Sequence, residues 1–228
     1  MSARLVVVAG TGTGIGKTHF AAALVTAWAT AAAVAGIKPI ETGVAPGDKA
    51  AGRGSDGLLL GRMSTFHVKQ FQSPYLLARP VSPHLAAREE GITIDLAEIV
   101  SYARSAQAEC EGVVLETAGG LFSPITERQT NADLIARLAP NVTLLVAPDR
   151  LGVLHDVVAT IRAAFAAGLR LTGIVLSAPE NTDASTGTNA AELARVLPSV
   201  PVLAVLPRAS IEELSASPVA PLVGALFG

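Results

Sequence analysis

Three stretches of the sequence have residue types and spacing suited to phosphate chemistry. The first is Gly10-Thr11-Gly12-Thr13-Gly14-Ile15-Gly16-Lys17-Thr18, which follows an aliphatic run at residues 5–8. Glycines let backbone N–H groups close around phosphate oxygens. A helix opening at Gly16 adds further N–H donors and the positive end of its dipole. Lys17 can then reach the β- and γ-phosphates, and the Thr18 hydroxyl can bind Mg²⁺. The standard loop has four residues between its glycines, whereas five separate Gly10 from Gly16 here. A glycine-rich turn of a dinucleotide-binding fold is the alternative, but it does not explain Gly-Lys-Thr at a strand-to-helix junction. The second stretch is Lys38-Pro39-Ile40-Glu41-Thr42-Gly43. A lysine at the carboxyl end of an apolar strand can neutralise charge on a transferring phosphoryl group. Position alone leaves a solvated strand-end lysine equally open. The third, residues 113–120, is an aliphatic strand ending in Glu116, followed by Thr117-Ala118-Gly119-Gly120. A strand-end acid can hold Mg²⁺, directly or through water, although an exposed acid before a turn has the same local pattern. Asp56 is a candidate second carboxylate, which alone reads as a first-turn helix acid.

The elements that must position these residues follow from the pattern of apolar runs. Residues 5–8, 34–40, 112–116, 142–147, 171–177 and 200–205 are continuous aliphatic runs, as parallel strands buried on both faces require. Helical patterns occupy 16–31, 95–108, 131–138, 154–167 and 188–197, with Gly168 and Pro198 at helix ends. This alternation predicts an α/β domain of βαβ units, with a mostly parallel sheet and helices on both faces. Residues 41–81 break the rhythm. They are rich in Gly, Ser, Pro and charge, with one short helical run at 56–63, and insertions of this kind at strand ends tend to carry a site. No linker, repeat or low-complexity tail marks a second domain, so residues 1–228 are expected to form one.

Composition narrows the function classes. The chain is 50% hydrophobic and 16% charged, the balance of a compact globular protein. A net charge of −2 gives no basic field for nucleic acid or an acidic membrane. The only cysteine, Cys110, excludes an intrachain disulfide and suits a cytoplasmic setting. The run after Arg4 is too short for a secretion signal, and the alanine-rich stretch 20–37 is too weakly apolar for a membrane helix. His19, His67, His84 and His155 lack the paired spacing of a zinc site, and Trp28 reads as helix packing. Four lysines are present: Lys17, Lys38, Lys49 and Lys69.

Taken together these motifs resemble dethiobiotin synthetase, and the resemblance runs along essentially the whole chain. It is carried by the extended glycine loop ending in Gly16-Lys17-Thr18, Lys38-Pro39 with Thr42-Gly43, and Ser55-Asp56. Pro80-Val81-Ser82-Pro83-His84, Glu116 with Ala118-Gly119-Gly120, Phe122-Ser123-Pro124, and Leu151-Gly152 before His155 complete it. The five-residue loop spacing is what this family's loop looks like. The resemblance implies a P-loop NTPase-type fold and a homodimer. It implies that 7,8-diaminopelargonate, CO₂ (or bicarbonate) and ATP yield dethiobiotin, ADP and phosphate through a carbamate and a carbamic-phosphoric anhydride. Lys17 and Lys38 would stabilise the transferring group, Thr18, Asp56 and Glu116 would hold Mg²⁺, and Thr42 would contact substrate. The nucleotide site so implied comprises Gly12, Thr13, Gly14, Ile15, Gly16, Lys17 and Thr18. It continues with Asp56, Glu116, Thr117, Ala118 and Gly119, and extends to Ser177, Ala178, Pro207, Arg208 and Ala209. The helix start after Gly152 would receive a substrate carboxylate.

Departures from the family pattern carry their own expectations. Gly14 stands where a glutamate is frequent, so any contact from that side chain is absent. Thr117 replaces a glycine beside the phosphates, and Leu154 replaces an asparagine that would contact the substrate carboxylate. Ser177 stands where some members read adenine with asparagine, which predicts relaxed nucleotide choice and use of other nucleoside triphosphates. Two other classes fit less well. A corrinoid amide synthetase would need a glutamine-hydrolysing domain after this one. A partition or positioning ATPase would carry a second loop lysine, and that position is Gly12.

Overall fold

The structure, a computed structural model, describes residues 3–50, 54–65 and 73–227. His67 and Lys69 lie outside these. Six strands form one sheet in the order β2-β5-β1-β6-β7-β8, with every pairing parallel. They are β1 (Arg4–Gly10), β2 (Val34–Ile37), β5 (Gly112–Glu116), β6 (Val142–Pro148), β7 (Gly173–Ser177) and β8 (Val202–Leu206). The short strands β3 (Ile40–Thr42) and β4 (Tyr75–Leu77) pair beside it in parallel.

Strand alternation sorts the core into two layers. Leu5, Val7 and Ala9 of β1 face a cluster built with α5 (Leu96–Glu109), α6 (Asn131–Leu138), α7 (Val153–Ala166) and α8 (Asn189–Val196). Val6 and Val8 face the opposite cluster, with α1 (Lys17–Trp28), α3 (Ser55–Met63), α9 (Ile211–Leu214) and α10 (Ala220–Phe227). Successive strand side chains point to opposite faces, so a strand covered on both must be aliphatic throughout. Phe20 and Leu24 of α1 are fully buried, each contributing roughly 2 kcal/mol. The alanines between them let α1 settle onto the sheet, and Trp28 stacks on Phe227 with ring centroids 4.0 Å apart. Among the described residues no helix is long and apolar enough to cross a membrane.

The structure departs from the sequence-based expectations in three places. The run 34–40 is not one strand. It stops at Ile37 and resumes at Ile40 in the small sheet. Pro39 has no N–H to offer a ladder, and Lys38 turns into the cleft. The 41–81 insertion holds α2 (Pro46–Ala50) and β4 besides α3, elements too short to show a period in sequence. Beyond β8, α9 and α10 close over α1 in a region for which the sequence pattern predicts no element. The expected helix start near His84 is α4 (Pro83–Glu89).

Candidate active site

The cleft opens at the carboxyl ends of β1, β2 and β5. After β1 the chain turns through Gly14 (φ 69°) into Gly16, whose left-handed conformation (φ 88°) caps α1. L side chains are disfavoured there. Lys17 follows, 5% exposed, its Nζ donating to the Gly12 carbonyl at 2.6 Å. Burial lowers its pKa to about 8; Glu116 and Asp56 pull it upward, while Lys38 adds to the lowering. Thr18 donates through Oγ1 to Glu116 Oε1 at 2.9 Å.

Register brings the other wall together. β2 pairs with β5 so that Ile37 lies opposite Leu115, which sets Lys38 beside Glu116 at the two strand ends. Lys38 Nζ donates to Glu116 Oε1 at 2.8 Å and to Asp56 Oδ2 at 2.5 Å. Lys38 is 8% and Glu116 1% exposed, so neither is the solvated end-of-strand residue that position alone left open. Burial is the largest influence on Lys38 and would lower its pKa. The carboxylates of Glu116 and Asp56 together outweigh it and hold the pKa above the ordinary lysine value. Ser73 fixes the Lys38 backbone by donating to its carbonyl at 2.6 Å.

This donor set fits a hard cation. Glu116 Oε2 is buried without a hydrogen-bond partner, an arrangement that is unfavourable unless a ligand completes it. Thr18 Oγ1, Glu116 and Asp56 are the oxygen ligands Mg²⁺ favours, in the small number it takes while keeping waters. The cleft they enclose is about 780 Å³, bounded on the far side by Thr42 and by residues 80–83.

A family model described as an AAA domain matches residues 4–215. The ATP-dependent dethiobiotin synthetase of Anaeromyxobacter dehalogenans strain 2CP-1 is 42% identical over 205 residues, covering 88% of each chain. That of Ralstonia nicotianae is 37% identical, covering 88% of this chain and 87% of its own. The chain belongs to the dethiobiotin synthetase family. Solved structures share its fold at much lower identity. Apo McdA from Cyanthece has a TM-score of 0.58 at 12% identity, covering 99% of each chain. The septum site-determining protein MinD from Pyrococcus horikoshii, complexed with Mg-ADP, scores 0.57 at 16%, covering 96% of this chain and 92% of that one.

Against this family's expected nucleotide site, the structure gathers most residues and sets two aside. Thr13, Gly14, Ile15, Gly16, Lys17, Thr18, Asp56, Glu116, Ala118 and Gly119 line the main cleft. Ser177, Ala178, Pro207, Arg208 and Ala209 line a smaller pocket of about 400 Å³ on the other side of Gly14-Ile15-Gly16. Thr117 lines neither. It is 1% exposed, and its backbone N–H donates to the Val8 carbonyl at 3.0 Å, with Oγ1 3.4 Å from the same oxygen. Its side chain therefore lies inside the protein and not in the cleft. Gly12 serves through its carbonyl, as the acceptor for Lys17. The Ser177 hydroxyl donates to the Ile15 carbonyl at 2.6 Å, which ties β7 to the glycine loop. Leu154 packs against the core at the start of α7, His155 is exposed, and neither lines the cleft.

Three residues escaped the sequence reading. His19 lines both pockets and its Nε2 lies 2.8 Å from the Ala209 carbonyl. Asn131 donates through Nδ2 to the Ala118 and Gly120 carbonyls at 2.7 and 2.8 Å, shaping the loop after β5. Glu41, 4% exposed, lines the cleft, and burial raises its pKa against two backbone donors. For Glu41 a signal existed, since it lies in the Lys38–Gly43 motif. Nothing in sequence singles out the other two.

Proposed function

We propose that this chain catalyses ATP-dependent closure of the ureido ring of dethiobiotin from 7,8-diaminopelargonate and CO₂. One amine of the substrate adds to CO₂, forming a C–N bond and, after loss of a proton, a carbamate. A carbamate oxygen attacks the γ-phosphorus and ADP leaves. The second amine attacks the carbamoyl carbon, the ring closes, and phosphate departs with the C–O bond electrons. Negative charge grows on oxygens of the phosphoryl group in the middle step, and fixed cations stabilise such charge best in a site shielded from water. Lys17 and Lys38 would supply them from opposite walls. Mg²⁺, when bound by Thr18, Glu116 and Asp56, would neutralise charge on the β- and γ-phosphoryl oxygens. Thr42 would contact the diamine. Gly12 to Thr18, Ala118 and Gly119 would cradle the phosphates, with the base in the pocket of Ser177 and residues 207–209.

The observation that carries this reading is the cluster of buried Lys38 and Glu116 with half-exposed Asp56, facing the glycine loop in a chain of this family. The reading further takes residues 1–228 as one domain, acting in the cytoplasm as a homodimer. The partner copy would bring the start of its α7 to the substrate carboxylate. The test is phosphate release with and without diaminopelargonate and bicarbonate, with dethiobiotin measured in parallel. Release that requires both substrates supports the synthetase. Release unaffected by them, or stimulated only by DNA, membrane or a protein partner, would overturn it.

A further inference from the structure

Asp56 stands in the first turn of α3, and that turn is capped from outside its own helix. Gly54 at the N-cap has no side chain to offer and no side-chain cap bond is made locally. The second and third N–H groups of a helix are those an N-cap side chain ordinarily satisfies. In α3 these belong to Asp56 and Gly57, and both donate to Glu41, at 3.1 Å to Oε2 and 2.8 Å to Oε1. Glu41 is on β3, three residues beyond Lys38. The surroundings are shaped to admit its carboxylate. A Cβ on Gly57 would lie 2.6 Å from Glu41 Oε1, and one on Gly54 would overlap the carboxylate outright.

We infer that Glu41 is a positioning residue, which locks the first turn of α3 to β3, three residues beyond Lys38, and so aims Asp56 at the cation site. A serine or aspartate at position 54 would satisfy the same N–H groups, but it would not tie α3 to β3. Capping from β3 instead makes Lys38 and Asp56 parts of one rigid unit. Both Glu41 oxygens accept backbone N–H groups of the α3 turn, so the residue acts through Asp56. The inference rests on the proposed role of Asp56 as a cation ligand.

The test uses the full chain with Mn²⁺ as probe. Mn²⁺ binding is followed by electron paramagnetic resonance in the presence of a non-hydrolysable ATP analogue. Nucleotide affinity without metal and circular-dichroism melting are measured on the same samples. Glu41→Gln places an amide NH₂ against a backbone N–H, and is expected to weaken Mn²⁺ binding about tenfold, with metal-free nucleotide affinity within about twofold. Asp56→Asn weakens Mn²⁺ binding at least as much, and the double variant is no weaker than Asp56→Asn alone, because one residue acts through the other. Gly57→Ala pushes on the Glu41 carboxylate with Glu41 intact and shifts binding in the same direction. It decides the matter if Glu41→Gln melts below the assay temperature. Normal Mn²⁺ affinity in Glu41→Gln, or single effects that simply multiply in the double variant, would overturn the inference. Normal affinity in Asp56→Asn would remove both the inference and the cation site. Absence of dethiobiotin formation with these Mn²⁺ effects intact would instead overturn the proposed reaction alone.

Discussion

The two lysines of the cleft are both nearly buried and only about twenty residues apart in sequence, yet their surroundings are opposite. Lys17 donates to a neutral carbonyl of its own loop, and burial brings its pKa down to about 8. Lys38 sits between two carboxylates from separate elements, which hold its pKa up despite the same burial. The glycine loop is thus a local device, built by consecutive residues and shaped to receive an anion that completes the charge balance. The opposite wall is a tertiary device whose lysine is already paired with two carboxylates before any phosphate arrives, which leaves a surplus negative charge for a cation. In the proposed reaction Lys17 would meet the nucleotide unpaired, whereas Lys38 would share its carboxylates with whatever enters between them.

The largest expected effect tests the wall whose lysine is already paired. Lys38→Gln should lower turnover by about two to three orders of magnitude while the far-ultraviolet circular dichroism stays native. Near-normal activity would remove Lys38 from the mechanism. Stability should separate the two lysines next. Lys38→Met leaves Glu116 and Asp56 without the cation between them, and is expected to lose about 3 kcal/mol in denaturant titrations without metal. Lys17→Met removes an ammonium whose burial is unfavourable, and should change stability by less than about 1 kcal/mol. Equal losses would end the contrast.

A smaller effect concerns pH. Lys17 in the free protein is protonated below about pH 8, and nucleotide phosphates raise its pKa. Above pH 8 binding must therefore take up a proton. Nucleotide affinity should be flat between about pH 7 and 8, where the phosphates are already ionised, and fall by up to about tenfold per unit above it. Calorimetry at pH 8.5 in buffers of different ionisation enthalpy should register that uptake, and buffer-independent heats would contradict the placement of Lys17. The smallest effect lies in the second pocket. The Ser177 hydroxyl donates to the Ile15 carbonyl, and among the described residues no amide side chain lines this pocket to read a base. Initial rates with ATP, CTP and GTP at equal concentration should agree within about tenfold. A preference for ATP above about a hundredfold would show that backbone groups around Arg208 and Ala209 discriminate on their own.

Much of this was legible in the chain before any fold was known. The glycine loop, the strand-end Lys38 and Glu116, and the parallel sheet all follow from patterns carried by neighbouring residues, where local geometry and apolar periodicity suffice. Helix α6 and strand β5 fall on the same residues that the pattern predicts. Short elements left no such trace, and Thr117 looked like a phosphate neighbour until its side chain was seen buried against Val8. Asp56 shows the limit most clearly. Alone it reads as an ordinary first-turn acid, and the resemblance to the family is what nominated it. Its place opposite Lys38 depends on a register between β2 and β5, on the break at Pro39, and on a cap that Glu41 supplies across fifteen residues of chain. Sequence by itself determined the phosphate loop, because its donors are successive backbone N–H groups. The net charge of the facing wall was decided only by tertiary structure, because it is a sum over side chains that the fold alone makes neighbours.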